Sequence, residues 1–100
     1  MVDVWEDADP EFKEQVKQIV SRIREERQKA RLSQMELSFK AGLSQNLVNG
    51  IENGRMTPSL LTILRICKAL QIEPASLFAD LDVERSAARE TIIELIKKYL

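Results

Sequence analysis

The stretch Ser33 to Gly54, SQMELSFKAGLSQNLVNGIENG, constrains the chain most, because it encodes two helix starts and two helix stops in quick succession. Ser33 and Glu36 have the spacing of a capping box, in which the serine oxygen accepts an amide hydrogen three residues on and the glutamate reaches back. A helix is therefore expected from Gln34. Leu37 and Ala41, four apart, share one face of it, and Gly42 follows where a residue that takes positive φ ends a helix cheaply. Ser44 is a second N-cap candidate, Val48 and Ile51 are the inward positions of the next helix, and Asn53-Gly54 supplies another left-handed stop. The expected product is two short helices joined by a glycine-containing turn.

The rest of the chain must pack around that pair. With 44% apolar and only 5% aromatic residues in 100, the chain fits one domain whose core is aliphatic packing between helices. Three glycines and three prolines leave little room for the turns of an all-β fold, so the fold class expected is all-α. No apolar run approaches the roughly 20 residues that span a bilayer, and the acidic start does not resemble a signal peptide. A cytoplasmic protein without a membrane partner is the expectation. The single cysteine, Cys67, allows no intrachain disulfide, and the absence of histidine leaves a zinc site short of ligands. No metal, no cofactor and no enzyme activity are expected, since no base is paired with a nucleophile and no glycine loop could cradle a phosphate.

Charge is unevenly distributed. Residues 1–12 carry five acids and no base, residues 13–55 carry nine bases and five acids for a net of +4, and residues 56–100 carry six of each. Local charge matters more to a polyanion than the formal total of −1. Residues 1–9 form an acidic, flexible leader in which Trp5 either caps the core or a dimer seam, or anchors a partner.

Asp9 as N-cap, with Pro10 at the first helical position, starts a long helix. Phe12, Val16, Ile19, Val20, Ile23 and Ala30 trace its apolar stripe to about Lys29, with Lys13, Lys17, Arg22, Arg24, Lys29 and Arg31 outside it. Arg27 lies one turn beyond Ile23, near the stripe, and an arginine there needs a buried or half-buried acid, for which Glu52 is the candidate. Further on, Thr57 with Pro58 repeats the pattern of N-cap and first-position proline, and Leu60, Ile63, Leu64, Cys67 and Leu70 mark the inward face of a fourth helix. Pro74 starts a short fifth helix anchored by Leu77 and Phe78. Asp82 caps a sixth, running to about Tyr99, whose stripe of Ala88, Ile92, Leu95, Ile96 and Tyr99 either folds back on the first helix or pairs with a second subunit.

From Leu32 to Phe78 these residues resemble the lambda-repressor and Cro-like helix-turn-helix domain, the XRE family, with the pattern extending over roughly residues 15–80. The features that carry the resemblance are Gln34, Leu37, Gly42, Val48, the Ile51-Glu52-Asn53-Gly54 run, Pro58-Ser59 and Leu77-Phe78. Ser38 departs from it, standing where the family usually has alanine, with a hydroxyl expected to bond back along its own helix.

The resemblance implies a five-helix domain over residues 10–80, with residues 82–100 as an additional helix for packing or dimerisation. It further implies that the third helix enters the major groove of double-stranded DNA, with Gln45, Asn46 and Asn49 as base contacts; amides pair well with adenine. Gln34, Lys40, Asn53 and Arg55 match backbone contacts, and Arg27 with Glu52 matches a structural salt bridge. Gly50 is read as an outward helical position, there to permit close approach to the groove or merely tolerated.

The function expected is therefore a sequence-specific DNA-binding transcriptional regulator, more a repressor or autoregulator than an activator, working as a homodimer. Controlling proteins of restriction systems are a close variant. The alternative is an antitoxin or bridging module with the same fold that offers its C-terminal helix or leader to a protein partner.

Overall fold

The computed structural model describes residues 9–79 and 94–98. Among these residues every regular element is helical: α1 (Pro10–Lys29), α2 (Gln34–Lys40), α3 (Leu47–Glu52), α4 (Leu60–Leu70) and α5 (Pro74–Phe78), with residues 94–98 also helical. The architecture is all-α, as the low glycine and proline content suggested. The leader with Trp5, the Asp82 cap and most of the sixth helix lie outside the described residues.

The core is aliphatic. Ile19 and Ile23 of α1 meet Leu37 and Ala41 of the second helical unit, Val48 and Ile51 of α3, Ile63, Ile66, Cys67 and Ala69 of α4, and Leu77 of α5. Helix α2 packs on α3 and α4, while α1 lies across α3, α4 and α5. Burial holds the Cys67 thiol above its ordinary range, because the thiolate would lose its water; the residue is a small core hydrophobe.

Four helices end alike. Arg31, Gly42, Gly54 and Gln71 take φ of 60°, 70°, 83° and 58°. In each case that residue's N–H bonds the carbonyl three before it, and the next N–H reaches the carbonyl five before itself, as in Leu43 to Ser38 at 2.8 Å and Ile72 to Cys67 at 3.0 Å. This is the Schellman closure. Two of the four stops were visible as glycines; at Arg31 and Gln71 an exposed residue with a Cβ takes the left-handed region, closed by the same pair of backbone bonds.

Several expectations need correction. Helix α4 is capped by Ser59, whose hydroxyl accepts from the Thr62 amide at 3.1 Å, and not by Thr57; Pro58 therefore precedes the cap. The face that packs on the other helices is also rotated from the expected one. Ile63, Ile66, Cys67 and Ala69 are buried, whereas Leu60 and Leu64 are exposed, Leu60 by 70%. In α1 the stripe is shorter than its sequence pattern, since Phe12 and Ala30 at its ends are exposed. Leu77 anchors α5, and Phe78 remains 42% exposed.

Candidate nucleic-acid interface

The capping box forms as the spacing requires. Ser33 Oγ accepts from the Glu36 amide at 3.0 Å and Glu36 Oε1 accepts from the Ser33 amide at 3.1 Å; these bonds hold the Glu36 carboxyl below its ordinary range. The box fixes the entry of α2, and with it the position of Gln34.

Gln34 opens a polar network that reaches the far end of α3. Its Nε2 donates to Glu52 Oε1 at 3.2 Å, and its Oε1 accepts from Asn49 Nδ2 at 2.8 Å. Asn49 Oδ1 in turn accepts from Asn53 Nδ2 at 3.1 Å and from Arg55 Nη2 at 2.7 Å. Four of the residues expected at the DNA, Gln34, Asn49, Asn53 and Arg55, are thus brought into one chain of bonds. Asn49 is half-buried within it and does not simply point outward. Arg55 closes the chain through its own backbone and side-chain bonds to Asn53 Oδ1, at 3.1 and 3.2 Å. It thereby carries a positive charge onto the outer side of a helix that has no cation of its own.

Glu52 is the hub. Its side chain is 1% exposed and accepts from Arg27 twice, at 2.7 and 2.9 Å, from Arg24 at 3.1 Å and from Gln34. Burial pushes the Glu52 carboxyl up, but the hydrogen bonds from Arg27, Gln34 and Arg24 together with the Arg27 charge outweigh it, and the group titrates below its ordinary 4.5. The same bonds raise Arg27. Arg24, expected on the outer face, is exposed there, and its Nη2 also donates to the Glu52 carbonyl at 2.7 Å, capping the end of α3. Its position three residues before Arg27 was the available signal, since residues three apart share a helix face.

The N-terminal end of α3 is built differently. Ser44 does not cap it: residues 44–46 form a turn, closed by the Leu47 amide on the Ser44 carbonyl at 3.1 Å, and the helix begins at Leu47. Asn46 occupies the cap position without a side-chain cap bond. The capping oxygen comes from another helix. Ser38, fully buried on α2, accepts from the Val48 amide at 3.2 Å, so its hydroxyl crosses to α3 and does not bond back along α2. The residue that departs from the family pattern thus satisfies a helix amide and leaves the Asn46 side chain uncommitted to the cap. Gln45 and Asn46 are both exposed there, with Gln45 Nε2 3.9 Å from Met35 Sδ.

Gly50 is buried, not outward: a Cβ on it would sit 3.2 Å from Met56 Sδ, and its carbonyl accepts from both the Arg55 and Met56 amides. Arg65, which sequence reasoning passed over, donates from α4 to the Gly42 carbonyl at 3.2 Å and so ties the turn between α2 and α3 to α4 at the surface. Lys40 is exposed at the end of α2 and stands outside the Glu52 network. Among the described residues no group of side chains could hold a metal ion, and no helix is long and apolar enough to cross a membrane.

A family model described as helix-turn-helix matches residues 23–77. An uncharacterized HTH-type transcriptional regulator, y4dL of Sinorhizobium fredii, is 36% identical over 55 residues, which span 55% of this chain and 28% of that relative. Among solved structures, the restriction-modification controller protein C.AhdI from Aeromonas hydrophila superposes with a TM-score of 0.59 at 41% identity, over 63% of this chain and 96% of that one. The family model spans the residues that build α2, α3 and the Glu52 hub, and the chain belongs to the XRE-type helix-turn-helix family.

Proposed function

We propose that this protein is a sequence-specific regulator of transcription that binds double-stranded DNA as a homodimer and acts as a repressor or autoregulator. The observation that carries this reading is the division of labour along α3: one end is locked by Glu52, while the other offers exposed Gln45 and Asn46 amides from a helix whose cap is supplied by Ser38. Such amides read adenine edges in the major groove, and a rigid support makes that reading selective. Asn49, tied to Arg55 and Gln34, acts as a third base contact at the edge of this set. Lys40, Asn53, Arg55 and Gln34 meet the phosphates on either side. The similarity to a restriction-modification controller supports a control function of that kind.

Affinity has to come from two copies, because α3 carries no lysine or arginine. Leu60, Leu61 and Leu64 leave an exposed apolar strip on α4, which supports self-association, and a dimer would read half-sites about 34 Å apart. Two cationic phosphate contacts per subunit, Lys40 and Arg55, give a salt slope of about −4 for the dimer.

Selection of binding sites from a random DNA pool tests the reading. The wild type should enrich a two-fold symmetric site, and Gln45→Ala should relax one base position in each half. Failure to enrich any sequence would overturn the DNA reading, and an unchanged site with Gln45→Ala would remove Gln45 from it. A strictly monomeric mass by sedimentation at high micromolar concentration would overturn the dimer.

A further inference from the structure

A groove of about 550 Å³ runs between α1 and the loop that follows α3. Val16, Val20 and Met56 give it an apolar lining, Lys17 and Arg24 edge it along α1, and Asn53 and Thr57 face them. None of the contacts assigned above to DNA needs the apolar part. A phosphate would be held by the cationic rim alone, whereas a segment combining acids with a large apolar side chain would use both features.

Residues 1–8, MVDVWEDA, have that composition: Asp3, Glu6 and Asp7 flank Trp5, with no base among them. We propose that this leader seats in the groove, with Trp5 against Val16, Val20 and Met56 and its acids beside Lys17 and Arg24. Chain length permits it. Trp5 lies five residues before Pro10 and so reaches up to about 17 Å from it, while Val16 and Val20 lie about 9 and 15 Å along the helix from the same residue. Asp9, at φ −59° and ψ 147°, is extended, so the chain leaves the helical path there. In this register Asp7 and Glu6 come level with Lys17, and Asp3 with Arg24. On the DNA-binding reading above, a seated leader brings negative charge beside Asn53 and so lowers the pull of that edge on phosphate. The docking itself is tested without DNA, and its failure leaves that reading untouched.

Trp5 is the only tryptophan, so its fluorescence reports on the leader directly. In the full chain acrylamide should quench it several-fold less than N-acetyltryptophanamide. Lys17→Glu should increase the quenching and shift emission to the red, with the helical circular dichroism unchanged. Combining it with Asp7→Lys should restore protection, and Met56→Ala, which alters the lining but no charge, should increase quenching without a salt dependence of its own. Quenching equal to that of the small compound would overturn the proposal. So would protection indifferent to both Lys17→Glu and Met56→Ala, or protection lost on dilution, which would put Trp5 at a subunit seam.

Discussion

The two ends of α3 solve opposite problems within six residues. At the C-terminal end a carboxylate and a backbone carbonyl are withdrawn from water and saturated by Arg24, Arg27 and Gln34. At the N-terminal end one amide is satisfied from α2 by Ser38, and the neighbouring side chains of Gln45 and Asn46 stand in solvent. A short helix has little stability of its own, so the clamp at one end is what gives the other a fixed direction. Interactions at the buried end should therefore register as stability, and those at the exposed end as selectivity.

Removing the hub is the severest way to probe this contrast. Glu52→Ala strands Arg27, whose side chain is 12% exposed, and removes the acceptor shared by Arg24 and Gln34. Breaking one partner of such a pair costs about 3 kcal/mol, which urea denaturation should read. The pH profile sharpens it. Because the folded carboxyl titrates below its ordinary value of 4.5, its contribution is complete above that value and is lost as pH falls through the lower folded one. The wild type should lose this increment on acidification, and Glu52→Ala should lack that step.

Gln45→Ala addresses the other end. Stability should stay within about 0.5 kcal/mol, while discrimination at the contacted base pair falls by about 2 kcal/mol, measured by competition between the selected site and its single-base variants. A stability loss comparable to that of Glu52→Ala would break the comparison. Ser38→Ala lies between the two. It leaves the buried Val48 amide without its acceptor and should cost about 1 kcal/mol, with weakened site selectivity because the start of α3 loosens. The smallest effect is expected from Gly50→Ala. A methyl group there meets only the flexible side chain of Met56, with Sδ 3.2 Å and Cγ 3.4 Å away, and that residue is half-exposed. That side chain can yield, so the gain in helix propensity, up to about 1 kcal/mol, should appear as modest stabilisation in thermal unfolding.

How legible these features were depends on whether their cause is local. The capping box at Ser33 and Glu36, the glycine stops at Gly42 and Gly54 and the start at Pro10 each follow from a few adjacent residues, and each stands where the spacing put it. The Thr57-Pro58 signal was equally local, yet Ser59 took the cap because its hydroxyl met the Thr62 amide. Leu60 and Leu64 lie outward because packing on α2, α1 and α5 selects the face of Ile63, Ile66 and Cys67. The pairing of Arg27 with Glu52 could be anticipated because an arginine beside an apolar stripe demands an acid. The joining of Arg24 and Gln34 to the same hub, and of Asn49 to Gln34, could not, since it depends on how α1, α2 and α3 cross.

The sequence alone determined an all-helical chain, the limits of the two short helices to within a few residues, and membership of a family that presents the third helix. Capping, periodicity and left-handed stops are short-range physics, written in neighbouring side chains. Only the tertiary structure decided that Ser38 caps a helix other than its own, that Gly50 is covered by Met56, and that Asn49 is half-buried in a network with Gln34, Asn53 and Arg55. Those outcomes rest on hydrogen bonds and packing between residues 6 to 28 positions apart, where the register of one helix against another, and not the local pattern, chooses the partner.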